Sequence, residues 1–327
     1  MKFETSALFK TIPVVTVLFC LGYGIYLLTG NDEITKTLSG TALIFTSVFC
    51  FLWSIFPASI GTYKKRQNSA AKKSVPLYGY IASLALIVIG IMLLNHPEHF
   101  IAGHIACGLG LAAWSTATIT ATVARSQKRN NSTDNPTEDS VSQQKLWLEI
   151  SAAFPVLATW TWTVLLLSGN ADESYYIAGH IMGAIACLCT ALLVSFVAIL
   201  RQKQNGHLRV IAFAAIIWGV IQFALQYGQS TDFVGFILIG SGIVCWSLSF
   251  PIAVSILPAR AEEQKNESIA LFPFVLFIIC LLISLFLFEE AGLNAKFLFP
   301  ARMFLGFGAF CLTSFAATGL IQIRTRQ

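Results

Sequence analysis

The sequence predicts an all-α polytopic membrane protein: ten transmembrane helices built as five tandem two-helix repeats, with a pseudo-fivefold ring as the arrangement that repeated packing would close. Three observations lead there. Hydrophobic residues make up 56% of the 327 residues and Asp, Glu, Lys and Arg only 11%, against about 25% charged residues in soluble domains. Apolar runs long enough to span a bilayer, such as LFKTIPVVTVLFCLGYGIYLLTG (8–30) and VLFIICLLISLFLF (275–288), recur along the whole chain. The tetrapeptide AGH with a preceding Ile occurs twice, ending at His104 and His180, and fixed-period self-similarity marks repeat architectures.

The first apolar run is too long for a signal-peptide core and no small-residue cleavage site follows it. It therefore reads as the first spanning helix. Taking the last position of IAGH as a reference, comparable helices occur at 37–50, 233–245 and 299–311, which places Thr41, Phe236 and Arg302 beside His104 and His180. Each such helix follows another apolar run and a short polar hairpin: TGNDEITK, NHPEH, SGNADESYY, QYGQSTD and EEAGLNAK. Three of the first helices share a proline opening, at Pro13, Pro155 and Pro273. The repeats so defined run over about 9–63, 76–125, 148–202, 208–260 and 269–323 of a single transmembrane domain, with a polar, disordered connector at 126–147.

Within the second helix of each pair, Ser47, Gly110, Ala186, Gly242 and Gly308 lie six residues after the reference, and Cys50, Ala113, Cys189, Cys245 and Cys311 lie nine after it. All ten are small, and positions three apart share a helical face. Small residues let helix backbones approach closely in lipid. At 100° per residue these offsets fall about 240° and about 180° from the reference. The expectation is a packing stripe on one face, with Thr41, His104, His180, Phe236 and Arg302 presented opposite it to a central axis. The eight cysteines all lie inside apolar runs, where free cysteine behaves as a small hydrophobe.

Topology follows from charge. The hairpins are acidic, with Lys36 and Lys296 their only lysines, whereas most of the Lys and Arg lie in the termini and in the connectors YKKRQNSAAKKS, ARSQKRNN, RQKQNGHLR and PARAEEQKNE, the first three of which are net basic. The positive-inside rule puts connectors and both termini in the cytoplasm and hairpins outside. The net charge of +5 is accounted for by this asymmetry and does not point to nucleic acid.

His104 sits about 10 Å along a helix that can begin at Pro97, and His180 and Arg302 sit at an equivalent depth. Ionisable groups inside spanning segments usually face a bundle interior or a wet cavity. Histidine titrates near pH 6.5, so a layer of two histidines around Arg302 would gain charge in acid, and basic rings favour anions. The plainer alternative is that each histidine bonds a neighbouring carbonyl and Arg302 snorkels to headgroups. Haem ligation by His104 and His180 is a weak alternative, since no further cofactor signature accompanies them. Cys187 and Cys189 diverge on a helix and do not chelate one metal. No nucleophile elbow, HExxH or Walker sequence is present. The sequence thus points to no enzyme, cofactor or metal. The expected partners are membrane lipids, protons and a small ion or solute.

The repeated AGH on alternate helices and the string FPARMFLGFGAFCLTSF (299–315) resemble the YhiM family of enterobacterial inner-membrane proteins, over essentially the whole chain. The resemblance implies a bacterial inner-membrane protein with a role in acid resistance and internal pH homeostasis. It carries His104 and His180 onto the AGH positions and Arg302 onto the Pro-small-Arg position. The first repeat departs from the family by reading SGT, with Thr41, where AGH is expected. The function expected is a pH-responsive pore or transporter with an outer vestibule of His and Arg. The alternatives are a non-conducting sensor or scaffold, and a secondary carrier. Parallel two-span repeats disfavour the carrier, because carriers usually show inverted repeats and helices broken at the midplane.

Overall fold

A computed structural model describes residues 2–29, 34–62, 74–131, 138–169, 172–201, 207–229, 231–256 and 268–325. They form ten α-helices: α1 (Lys2–Thr29), α2 (Ile34–Thr62), α3 (Ser74–Leu94), α4 (Phe100–Asn131), α5 (Glu138–Ser168), α6 (Glu173–Arg201), α7 (His207–Leu225), α8 (Phe233–Ile256), α9 (Ser268–Ala291) and α10 (Leu298–Thr325). Short 3-10 turns, Pro97–His99 and Ala295–Phe297, lead into α4 and α10. No strand occurs among the described residues.

Nine helices are long and apolar enough to cross a membrane, and α2 adds the shorter apolar stretch Ser39–Phe51 among its described residues. The connectors at 63–73, 202–206 and 257–267 lie outside the described residues. The connector expected at 126–147 is shorter than the composition suggested. Helix α4 continues to Asn131 and α5 begins at Glu138, with 132–137 outside the described residues. Gln, Lys, Arg and Glu are good helix formers, so polar sequence at the end of a spanning helix extends it instead of breaking it.

The even-numbered helices form an inner layer and the odd-numbered ones an outer layer. In the spanning windows of α4, α6, α8 and α10, 78% of residues are buried, against 17–28% in α1, α3, α5, α7 and α9. The outer faces carry the exposed Leu18, Ile81, Leu157, Ile217 and Leu282, apolar side chains suited to acyl chains. Each inner helix packs on its hairpin partner, and α2 meets α4, α4 meets α6, α6 meets α8, α8 meets α10, and α10 returns to α2. The inner layer therefore closes on itself. Each outer helix also leans on the preceding inner one, α1 on α10, α5 on α4, α7 on α6, α9 on α8 and, most lightly, α3 on α2.

The outer helices bury a narrow stripe. In α1 it is Pro13, Thr16, Cys20, Gly24 and Leu27; in α5, Ala152, Pro155, Thr159, Thr163 and Leu166; in α9, Pro273, Leu276, Cys280, Ser284 and Leu287. The spacing of three, four, four and three residues is the same in all, one face of a 3.6-residue helix.

Within the hairpins, backbones touch. A Cβ at Gly219 would lie 2.6 Å from the Gly235 carbonyl oxygen, and one at Gly24 would lie 2.9 Å from that of Gly40. At Gly90 the Gly103 carbonyl oxygen would be 2.9 Å away. Ser83 and Ser284 tie outer to inner helices by donating to the Gly110 and Ala301 carbonyls at 2.6 and 2.8 Å. Three of the small residues singled out above lie on this side. Gly110 faces Ser83 and Ile87, Gly242 faces Ala212 and Ile216, and Gly308 faces Phe277 and Cys280. Ser47, Ala186, Cys50, Ala113, Cys189, Cys245 and Cys311 are all buried.

Since backbone atoms cannot step aside, Gly219→Ala should destabilise by about 1–3 kcal/mol. Thermal unfolding in detergent measures this, with Gly22→Ala, where nothing lies within 4 Å of the new Cβ, as the control expected to match the native protein.

Candidate functional site

The five inner helices surround a cavity of about 90 Å³, to which every one of them contributes. Its lining includes Ala42, Thr46 and Phe49 from α2, Ile105 and Leu109 from α4, Ile181, Ile185 and Leu188 from α6, Ile237, Ser241 and Val244 from α8, and Met303, Phe307 and Phe310 from α10. These positions are not the reference positions. They stand one, five and eight residues after them, on a stripe centred about 100° around each helix. Thr41, His104, His180, Phe236 and Arg302 do not line the cavity, which corrects the expectation that this layer faces the axis.

The reason is the number of neighbours. An inner helix has its hairpin partner, the axis, and the adjoining repeat to face, so its surface divides into three sectors rather than two. The small stripe takes the first, the lining residues the second, and His104 and His180 the third.

In that third sector the histidines occupy equivalent aromatic enclosures. His104 is buried on α4, and its Nδ1 donates to the Phe100 carbonyl at 2.7 Å. Its ring centroid lies 4.4 Å from Phe100 and 5.4 Å from Trp162 of α5. His180 is buried on α6, and its Nδ1 donates to the Tyr176 carbonyl at 2.8 Å. Its centroid lies 4.3 Å from Tyr176 and 5.7 Å from Trp218 of α7. A carbonyl only accepts, so Nδ1 carries the hydrogen in both rings and Nε2 holds the lone pair in the neutral form. Tyr176 in turn donates to Gln222 Oε1 at 2.7 Å, linking α6 to α7.

Phe236 on α8 differs from the histidines: it is in edge contact with Phe223 of its own hairpin partner α7 and with Phe297 in the turn that leads into the next inner helix, at centroid distances of 5.0 and 6.4 Å. Thr41 is half-buried on α2. Arg302 is only 6% exposed, and its Nε and Nη1 have no hydrogen-bond partner. That exposure places it inside the protein rather than reaching for headgroups.

Two features were missed in the sequence. Four residues after the reference stand Gly108, Ala184, Gly240 and Gly306, a further small position. Gly108 receives Met182 and Ile185 of α6, Gly240 receives the Phe307 ring of α10, and Gly306 lies against Leu43 and Thr46 of α2. This interdigitation brings the lining residues to the axis, and the small residues at that offset were the signal for it. The second feature is an aromatic stack. Phe310 lies 5.3 Å from Phe49 and 6.0 Å from Trp53, which is fully buried.

With that architecture in view, comparison with known proteins places the chain. Residues 1–325 match the family described as Protein of unknown function (DUF2776). The chain belongs to that family. It is also 23% identical over 337 residues, covering 96% of each chain, to a protein of Escherichia coli (strain K12) named Inner membrane protein YhiM. No solved structure matches. Together with the apolar helices, this makes the family member a multi-pass inner membrane protein.

The two enclosures generate a spectroscopic prediction. A protonated imidazole beside an indole forms a cation–π contact and quenches its emission. Tryptophan fluorescence should fall between pH 7.5 and pH 5, and His104→Gln with His180→Gln should remove most of that change. The expected amplitude is partial, because Trp162 and Trp218 are two of seven tryptophans.

Proposed function

We propose that this protein is a pore held in its closed state, opened by acid and serving acid resistance and pH homeostasis. The observation that carries the reading is the closed inner layer: five buried helices meet around one cavity. The stack of Phe49, Phe310 and Trp53 supports its being shut, since apolar constrictions gate by expelling water.

The histidines supply the acid response. Each ring touches an outer helix that belongs to the next hairpin, so a charge gained there alters the seam between neighbouring pairs rather than the axis itself. The titratable groups beside these clusters are Tyr176, which touches His180, and Tyr175, whose ring lies 4.9 Å from Phe100. Neither histidine has a described ion-pair partner. An imidazolium among aromatic rings demands water or a reoriented indole, and either loosens α5 from α4 or α7 from α6. Because α4 and α6 interdigitate at Gly108, loosening at the seam is transmitted to the lining. The acidic hairpins and basic connectors support hairpins outside and both termini in the cytoplasm, which sets the histidines under the external face.

Proteoliposomes test this directly. Solute or ion flux should rise on going from pH 7.5 to pH 5, and His104→Gln with His180→Gln should flatten the rise. Phe310→Ala, which removes the centre of the aromatic stack, should give flux at both pH values. Absence of any flux in all three proteins returns the non-conducting sensor or scaffold.

A further inference from the structure

The lining of the inner cavity carries two hydroxyls, and their hydrogen bonds specify what can sit between them. Thr46 Oγ1 donates to the Ala42 carbonyl at 2.8 Å, and Ser241 Oγ donates to the Leu238 carbonyl at 2.8 Å. A hydroxyl has one hydrogen and two lone pairs. Both hydrogens are therefore spent within their own helices, and what remains toward the cavity is acceptor capacity alone. The two residues stand at one level, each five positions after its reference, on α2 and α8, which α10 separates in the ring. Gly306 of α10 lies beside Thr46 and leaves its hydroxyl uncovered on that side. Every other lining residue is apolar: Ala, Ile, Leu, Val, Met, Phe and Gly.

We propose that this cavity binds a small uncharged molecule that donates hydrogen bonds, an amide or alcohol of a few heavy atoms, and that this is the class of solute the pore admits. An anion would meet lone pairs and no donor. A cation would exchange its hydration shell for two hydroxyl oxygens and apolar surface, and burying a charge that way is prohibitive. A neutral donor loses less water and finds a hydroxyl oxygen that accepts. Size agrees with this class: an apolar cavity of about 150 Å³ takes benzene, so one of about 90 Å³ suits a molecule of about four heavy atoms. The basic layer expected from the sequence would have favoured anions, but Arg302 is not among the lining residues. The solute class deepens the pore reading and rests on it, whereas binding at the cavity stands independently.

Binding is measured first, on the full chain in a non-ionic detergent, by saturation transfer from protein to formamide. Transfer to the formyl proton is expected, with dimethylformamide, which lacks N–H donors, giving little. Thr46→Val with Ser241→Ala should weaken formamide binding about five- to tenfold, while Thr46→Ser, which keeps the acceptor, should leave it near the native value. Thermal unfolding of each variant confirms that it is folded. Equal signals from formamide and dimethylformamide, or a signal that the double variant leaves intact, would overturn the proposal. Proteoliposomes with native and Phe310→Ala protein then separate the two levels. Urea-driven swelling without conductance in potassium chloride upholds the solute class. Ionic conductance without urea permeation overturns the class and leaves a pore. No flux of either kind, with donor-selective binding retained, removes the pore and upholds the binding site.

Discussion

Backbone-to-backbone approach inside the α1–α2, α3–α4 and α7–α8 hairpins is the constraint on which the rest of this structure depends. In lipid, apolar side chains gain little by meeting each other, because acyl chains are as apolar as leucine. Association must come from close packing and from polar contacts between helices. At Gly219 and Gly235, and at Gly24 and Gly40, each glycine lies against the carbonyl oxygen of the other. Elsewhere a serine hydroxyl bridges the same seam, from Ser83 to Gly110 and from Ser284 to Ala301. A helix held this closely cannot rotate, so its other faces are fixed as soon as the hairpin forms. The inner helices thus enter the ring with their lining residues already directed.

The connectivity gives those inner helices a common direction. Every short hairpin leads from an outer helix into an inner one, so α2, α4, α6, α8 and α10 all begin at the hairpin end. Five parallel helices side by side would repel through their macrodipoles. The antiparallel outer helices, packed against them along their length, oppose those dipoles. The outer layer is consequently a lipid shield and an electrostatic partner at once. It also provides the indoles of Trp162 and Trp218 that enclose the two histidines.

Function is distributed over the three faces of an inner helix. The hairpin face is rigid, as glycine and carbonyl contacts have no slack. The axial face is apolar and closely interdigitated, with Phe307 seated on Gly240 and the Phe49, Phe310 and Trp53 rings stacked beyond it. The seam to the next hairpin is where the two histidines sit, His104 against Trp162 and His180 against Trp218. A change at the seam can move whole hairpins as units without disturbing the contacts that hold each one together. That separation of rigid and adjustable surfaces is what the proposed gating would use.

Much of this was present in the residues themselves. Apolar run length sets the number of spanning helices, because each must satisfy its backbone internally across about 30 Å of hydrocarbon. The small residues six and nine positions after the reference mark the hairpin face, because close approach excludes larger side chains. The direction of His104, His180 and Arg302 was not legible. Periodicity shows which residues share a face but not which neighbour that face meets, and a displacement of one residue turns a side chain by about 100°. Thr46 and Ser241 were equally silent, since a helix-interior hydroxyl bonding its own backbone looks the same in any helix. Only the return of α10 to α2 gives each inner helix an interior side, and with it decides which residues border the cavity.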